Sequence, residues 1–219
     1  MTYLALHGFT QRGSMWGEVG ARVGGTWVCP DLPGHGGRPP RPWESAAALV
    51  AGLLDDLAAP RCLVGYSLGG RLALGTALQH PALVDRLVLL SASPGIADAA
   101  ERARRLSEDL ALAEHLEAVG VDAFLDEWLA RSLFAGLAAR GHRWRAADRK
   151  SRRGSEASGL AEALRLLGQG AQPYLGDRLG ELPMPVLLLA GAEDERYAAL
   201  ARDMAERIAS AQVALVPGA

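Results

Sequence analysis

Ser67 stands at the centre of Gly65-Tyr66-Ser67-Leu68-Gly69, with the apolar run Cys62-Leu63-Val64 before it and Arg71-Leu72-Ala73-Leu74 after it. This is the pattern of a nucleophile elbow, a sharp strand-to-helix turn that raises a serine hydroxyl above the end of a sheet. Glycines flank the serine because a Cβ there would collide with neighbouring backbone. Five residues alone are a weak signal, and the strand-turn-helix flanks give it weight. Near neutral pH a serine hydroxyl is a poor nucleophile and a poor base. It needs an adjacent imidazole, held in one tautomer by a carboxylate. With an elbow of this kind the chain order is serine, acid, histidine. Asp194, in Ala190-Gly191-Ala192-Glu193-Asp194 directly after an apolar run, is the expected acid, with Glu193 as its competitor. Two backbone donors are also needed for a developing oxyanion. The Leu68 N–H at the helix start and the Phe9 N–H in His7-Gly8-Phe9-Thr10 are the expected pair.

The histidine is the difficulty. His7 comes too early in the chain order and reads as a shaping residue. His35 lies in a turn and reads as loop packing; His80 precedes Pro81 at a helix end, and His115 and His142 fall in a helical middle segment. None follows Asp194. The triad histidine is therefore expected just beyond Ala219, on a C-terminal segment outside this sequence. The alternative is a catalytically incomplete molecule that only binds a ligand.

Short apolar runs at Tyr3 to Leu6, Thr26 to Cys29, Arg61 to Gly65, Arg86 to Leu90, Pro185 to Ala190 and Val213 to Val216 read as buried parallel strands. Helical spacing at Glu44 to Ala59, Leu68 to His80 and Tyr197 to Ala209 alternates with them, which predicts an α/β fold: a mostly parallel sheet with helices on both faces. From about Asp98 to Leu179 the alternation stops and the chain reads as helical, with Arg102 to Leu116, Val121 to Ala130 and Ser158 to Leu167 amphipathic. The expected organisation is a core of residues 1–95 and 183–219, with an inserted helical cap over 96–182. Such a cap would sit over the carboxyl ends of the strands, where open α/β sheets bind ligands.

The chain has 219 residues, 49% of them hydrophobic, enough for one substantial core. Its formal charge of −2 gives no electrostatic reason to expect nucleic acid or an anionic membrane as partner. Cys29 and Cys62, both beside or inside strands, read as buried free thiols rather than a disulfide or metal pair, which fits a reducing cytoplasm. The strand at Tyr3 leaves no room for a signal segment, and no apolar run approaches bilayer-spanning length, so a soluble, unsecreted protein is expected. Lys150 is the only lysine, and composition does not say why.

Several stretches together resemble a known family. The elbow, His7-Gly8-Phe9-Thr10 and Asp31-Leu32-Pro33-Gly34-His35-Gly36 are similar to the α/β-hydrolase superfamily. Gly65-Tyr66-Ser67-Leu68-Gly69-Gly70-Arg71, Ser93-Pro94-Gly95-Ile96, the arginine-rich Ala99 to Arg105 and Gly168-Gln169-Gly170-Ala171-Gln172-Pro173 resemble the 2-succinyl-6-hydroxy-2,4-cyclohexadiene-1-carboxylate synthases of menaquinone biosynthesis, across core and cap. The resemblance implies an α/β-hydrolase fold and a lyase that needs no cofactor and no metal. Such a lyase eliminates pyruvate from a small substrate with three carboxylates, using Ser67 as base. It implies that Arg71, Arg105 and Arg149 bind carboxylates and that Tyr66, Trp128 and Phe134 line the pocket, with cap-core packing the rival role for the last two. Arg102, Arg104, Arg152 and Arg153 are expected to form a solvated cationic face. Two departures from the family stand out, the missing histidine and a start one strand late. A carboxylesterase, thioesterase or carbon-carbon hydrolase with an acylated Ser67 remains open on the same scaffold.

Overall fold

The computed structural model describes residues 1–131, 134, 136–137 and 140–219. Among them, six strands form one sheet: β1 (Thr2–Leu6), β2 (Thr26–Val28), β3 (Arg61–Tyr66), β4 (Arg86–Leu90), β5 (Val186–Gly191) and β6 (Ala211–Val216). Their order is β2-β1-β3-β4-β5-β6, and every neighbouring pair is parallel. β6 begins at Ala211, two residues before the expected start. The chain enters mid-sheet at β1, winds outward to β2 and returns past β1 to β3. Leu6 is thereby registered against Gly65, and the loops leaving β1 and β3 emerge side by side at the carboxyl edge. Strand order reverses at this point, which is where such sheets bind ligands.

The helices that cover the sheet are α1 (Gly17–Val23), α2 (Trp43–Asp55), α3 (Leu68–Gln79) and α7 (Glu195–Ala205). α3 lies deepest, with every residue but Gln79 buried. Leu72, Leu74 and Leu78 join Leu4, Leu63, Leu87 and Leu188 of the strands in the main core. α2 stops at Asp55 rather than Ala59, because the Leu57 N–H turns back to the Leu54 carbonyl and tightens the last turn. α7 likewise ends at Ala205, four residues short of the expected Ala209. α1, preceded by a single 3-10 turn at Gly13–Trp16, is absent from the sequence-based expectation, since its glycines at 17 and 20 disguise the helical pattern.

Between β4 and β5 run α4 (Ala99–Leu129), α5 (His142–Arg152) and α6 (Ala157–Leu167). The two expected helices at 102–116 and 121–130 are halves of α4, separated at Gly120, whose φ of 78° and ψ of 168° only glycine adopts without strain. Asp98 caps the N-terminus, its carboxylate accepting the Glu101 N–H at 2.7 Å. α4 and α6 enclose a second, smaller apolar cluster of Ala113, Leu116, Phe124, Leu160, Ala161 and Leu164, against which Phe9 of the β1 loop packs. No helix among the described residues is long and apolar enough to cross a membrane. Cys62 is buried and Cys29 half-buried, both as free thiols, and burial pushes the Cys62 thiol up to about 11.

Candidate active site

Ser67 sits between β3 and α3 at φ 51°, ψ −111°, a conformation that a residue with a side chain holds only under constraint. The constraint is visible on each side. The Ser67 N–H bonds to the Leu90 carbonyl at 2.9 Å and the Gly69 N–H to the His7 carbonyl at 3.0 Å. A Cβ on Gly65 would lie 2.4 Å from the Gly69 oxygen, and one on Gly69 would lie 2.3 Å from the Leu6 oxygen. The backbone crossing is so close that neither position accepts even alanine, and the serine is forced up and out at the sheet edge.

The loop after β1 faces this turn, with the Tyr66 ring packed against Gly8. Its backbone donors divide in an informative way. The Gly8 N–H is taken by the Gln11 side chain (3.1 Å) and the Thr10 N–H by His35 Nε2 (3.2 Å). Among the described residues the Phe9 N–H has no acceptor, nor does the Leu68 N–H, which as the first helical residue has none within its helix. The two donors expected from the sequence are both left free among the described residues. Two imidazoles hold this loop. His7 Nδ1 donates to the Gly8 carbonyl and Nε2 accepts the Leu32 N–H, while His35 Nδ1 donates to the Pro33 carbonyl. Both rings are fully buried and meet edge to face at 4.9 Å. Burial lowers His7 to about 4, and burial followed by the neighbouring His7 lowers His35 to about 3, so both are neutral at physiological pH.

With both nitrogens engaged, neither His7 nor His35 is free to serve Ser67. His115 is paired with Glu127 on the surface of α4, His142 opens α5, and His80 ends α3 at the far end from the elbow. Asp194 follows β5 and caps α7, its Oδ1 accepting the Tyr197 N–H at 3.1 Å and its second oxygen free of protein partners among the described residues. Glu193 is exposed, and its N–H bonds to the Ala219 carbonyl, which brings residue 219 against the Asp194 loop.

The arginines do not behave alike. Arg71, one turn into α3, is 6% exposed, and its Nη1 donates to the Gly168 carbonyl (3.3 Å) and to Gln172 Oε1 (3.2 Å). No carboxylate bonds to it among the described residues, and burial lowers it to about 10. Arg105 shares its charge with the buried Asp109 (2.8 Å) and reaches Gln169 Oε1 (2.8 Å) on the same 168–172 turn. That turn thus gathers Arg71 and Arg105. Arg149 is elsewhere: its guanidinium bonds to the Asp126 carboxylate and the Asp122 carbonyl, tying α5 to α4. Arg104 and Arg153 lie on the surface, and Arg102 is half-buried on the Ile96 carbonyl.

Arg152 overturns its expected place on the solvated face. It is 2% exposed, paired with Asp148 at 2.7 Å and donating to Thr10 Oγ1 at 2.5 Å, because α5 turns this residue inward onto the β1 loop. The partner lies 142 positions away, so no local pattern could disclose it. Replacing Arg152 with methionine would leave Asp148 charged and nearly buried, and should lower stability by about 3 kcal/mol in urea denaturation. A change under 1 kcal/mol would mean that the pair is not formed.

Phe9 also carries an aromatic cluster. Trp128 meets it edge-on at 5.5 Å and stacks on Phe124 at 5.7 Å, with Phe134 tilted against Trp128 at 5.7 Å. The indole Nε1 of Trp128 is buried without an acceptor among the described residues. A buried orphan donor on a ring packed against Phe9 suits an acceptor on a bound molecule. Among the described residues no group of three or more His, Cys, Asp or Glu is placed to hold a metal ion.

A parallel sheet covered by helices, with a strained serine at its switch point, defines the α/β-hydrolase class, and the family model described as "Alpha/beta hydrolase family" matches residues 4–219. The putative 2-succinyl-6-hydroxy-2,4-cyclohexadiene-1-carboxylate synthase of Bacillus subtilis is 36% identical over 157 residues, 72% of this chain and 57% of that protein. The synthase of that name from Serratia proteamaculans is 32% identical over 218 residues, 90% of this chain and 79% of that protein. MenH from S. aureus superposes with a TM-score of 0.94 at 29% identity, covering 100% of this chain and 85% of that one. The chain belongs to the α/β-hydrolase family and, within it, to the family of 2-succinyl-6-hydroxy-2,4-cyclohexadiene-1-carboxylate synthases. A thermophilic esterase from Thermogutta terrifontis, at 23% identity and a TM-score of 0.82, shares the fold.

Proposed function

We propose that the protein is a carbon-oxygen lyase of the menaquinone pathway. It takes 2-succinyl-5-enolpyruvyl-6-hydroxy-3-cyclohexene-1-carboxylate to 2-succinyl-6-hydroxy-2,4-cyclohexadiene-1-carboxylate and pyruvate. Ser67, its proton drawn by an imidazole oriented by Asp194, removes the ring proton beside the succinyl ketone. The electron pair becomes an enolate, whose oxygen the Phe9 and Leu68 N–H groups receive. As the ketone re-forms, the carbon-oxygen bond to the enolpyruvyl group breaks, and that group leaves and takes up a proton as pyruvate. The imidazole belongs, in this reading, to residues following Ala219; the contact of Ala219 with the Asp194 loop supports that position.

One observation carries the reading: Arg71, buried and with no carboxylate bonded to it among the described residues, one helical turn from Ser67. An unpaired buried guanidinium is costly, and a substrate carboxylate supplies the missing charge in two-point geometry. Arg105 beside it, and Arg152 above the β1 loop, provide further cations for a substrate with three carboxylates. Tyr66, Trp128 and Phe134 supply the apolar wall, and Arg149 acts from the α4–α5 junction, where it is already engaged by Asp126. No cofactor enters, and free Cys29 and Cys62 go with a cytoplasmic setting.

The test is pyruvate release from the enolpyruvyl substrate by a protein whose chain continues past Ala219 through a histidine. Release should be fast, while simple esters are left intact. Ester cleavage with a burst of acyl-enzyme and no pyruvate would replace this reading with that of a hydrolase.

A further inference from the structure

Tyr197 lies in the first turn of α7, three residues beyond Asp194, and its role follows from which atoms can donate. Arg105 is a pure donor, so the Gln169 group facing its Nη1 at 2.8 Å must be the carbonyl Oε1. The amide of Gln169 then points the other way, and its Nε2 donates to the Tyr197 phenolic oxygen at 3.3 Å. The phenol is therefore an acceptor toward Gln169, and its own hydrogen needs a different partner. Among the described residues there is none. Asp109 of α4, the carboxylate bonded to this turn, accepts from Arg105 Nε and from the Gly170 N–H at 2.9 Å and not from the phenol.

Further free donors surround the same turn. Among the described residues Arg71 uses only Nη1, on Gly168 and Gln172, and leaves Nε and Nη2 without acceptors, and Arg105 leaves its Nη2. Gln172 cannot move to meet them, since its Oε1 is held by Arg71 and its Nε2 donates to the Ser93 carbonyl at 3.3 Å. Gln169 bridges the two sides of this turn, its Oε1 on Arg105 and its Nε2 on the Tyr197 oxygen, which sets the phenol beside the guanidinium groups. Two cations, one carboxylate already committed and a donating phenol leave a net positive charge that asks for an anionic acceptor.

We propose that Tyr197 is a substrate-binding residue, the neutral third donor of a carboxylate subsite whose charged donors are Arg71 and Arg105. The inference rests on the carboxylate-binding reading of those two arginines. Gln169 orients the phenol, so the hydrogen it presents is fixed in direction before the ligand arrives, which lowers the entropy cost of binding. Because Tyr197 belongs to the helix capped by Asp194, an anion held there also steadies the turn that carries the acid.

The probe is succinate, titrated calorimetrically into the wild-type protein and into Tyr197→Phe, which keeps the ring and removes the donor. A hydrogen bond to a charged acceptor predicts dissociation roughly tenfold weaker in the variant, with the unfolding midpoint of the free protein unchanged. Gln169→Leu, which frees the phenol without removing it, should weaken succinate by a smaller factor. Equal affinity of Tyr197→Phe and wild type would overturn the assignment, and so would a wild type that does not take up succinate at all. Because succinate binding is read without turnover, the subsite can stand if pyruvate release fails, or fall while pyruvate release succeeds.

Discussion

Ser67→Ala should reduce pyruvate release by about four orders of magnitude or more, with the fold intact. The residual rate would come from the Phe9 and Leu68 N–H groups and from Arg71, which remain when the hydroxyl is gone. Alanine keeps the same unfavourable backbone conformation as serine and the same small volume, so urea denaturation should shift by less than about 0.5 kcal/mol. Ser67→Gly separates chemistry from strain. Glycine adopts φ 51°, ψ −111° without penalty, so this variant should be equally inactive yet more stable than wild type by about 1 kcal/mol. A stable protein with unchanged turnover in either variant would remove Ser67 from the mechanism. Glycine failing to stabilise would show that the turn is not strained by its side chain.

The elbow was legible because its requirements are local: two glycines and a serine between an apolar run and a helical one. The free N–H groups of residues 9 and 68 were legible for a related reason, since each stands at a fixed place in a short motif. The strand pattern marks the elements along the chain, and the need for a second backbone donor points to the His7-to-Thr10 loop, which the structure sets against the elbow through the Gly69 N–H on the His7 carbonyl. What stayed hidden depends on contacts between distant segments. Arg152 and Arg153 are adjacent and alike in sequence, yet one is buried on Thr10 and the other lies on the surface beside Asp122. The turn of α5 relative to the β1 loop decides which, and periodicity in a short, strongly basic helix does not record it. For Arg149 only resemblance speaks, and the structure engages its guanidinium with Asp126 and the Asp122 carbonyl of α4. Tyr197 occupies an ordinary position in an amphipathic helix; only the Gln169 amide, fixed by Arg105, reveals that its hydrogen is free.

Acid should destabilise this protein well above the pH at which most carboxylates titrate, and the buried pair His7 and His35 is the cause. An unfolded imidazole takes up its proton near pH 6.5, whereas these two, at about 4 and about 3 in the folded protein, do not. Between those limits the unfolded chain binds more protons than the native one, so unfolding becomes easier as pH falls through 6.5 and the stabilisation is fully present above it. Each neutral imidazole costs about 1.4 kcal/mol per pH unit in this window, or about 4 kcal/mol for the pair at pH 5 relative to pH 7.5. His35→Gln should halve the slope between pH 6.5 and 5, whatever it does to stability at neutral pH, because one of the two proton sinks is gone. The acid limb matters for function as well. Protonating His35 Nε2 removes the acceptor of the Thr10 N–H, and protonating His7 Nε2 removes that of Leu32. The loop that presents the Phe9 N–H would then lose its hold, and turnover should fall on the acid side together with stability. Urea midpoints flat from pH 7.5 to 5 would show that the two rings are not neutral and buried as described.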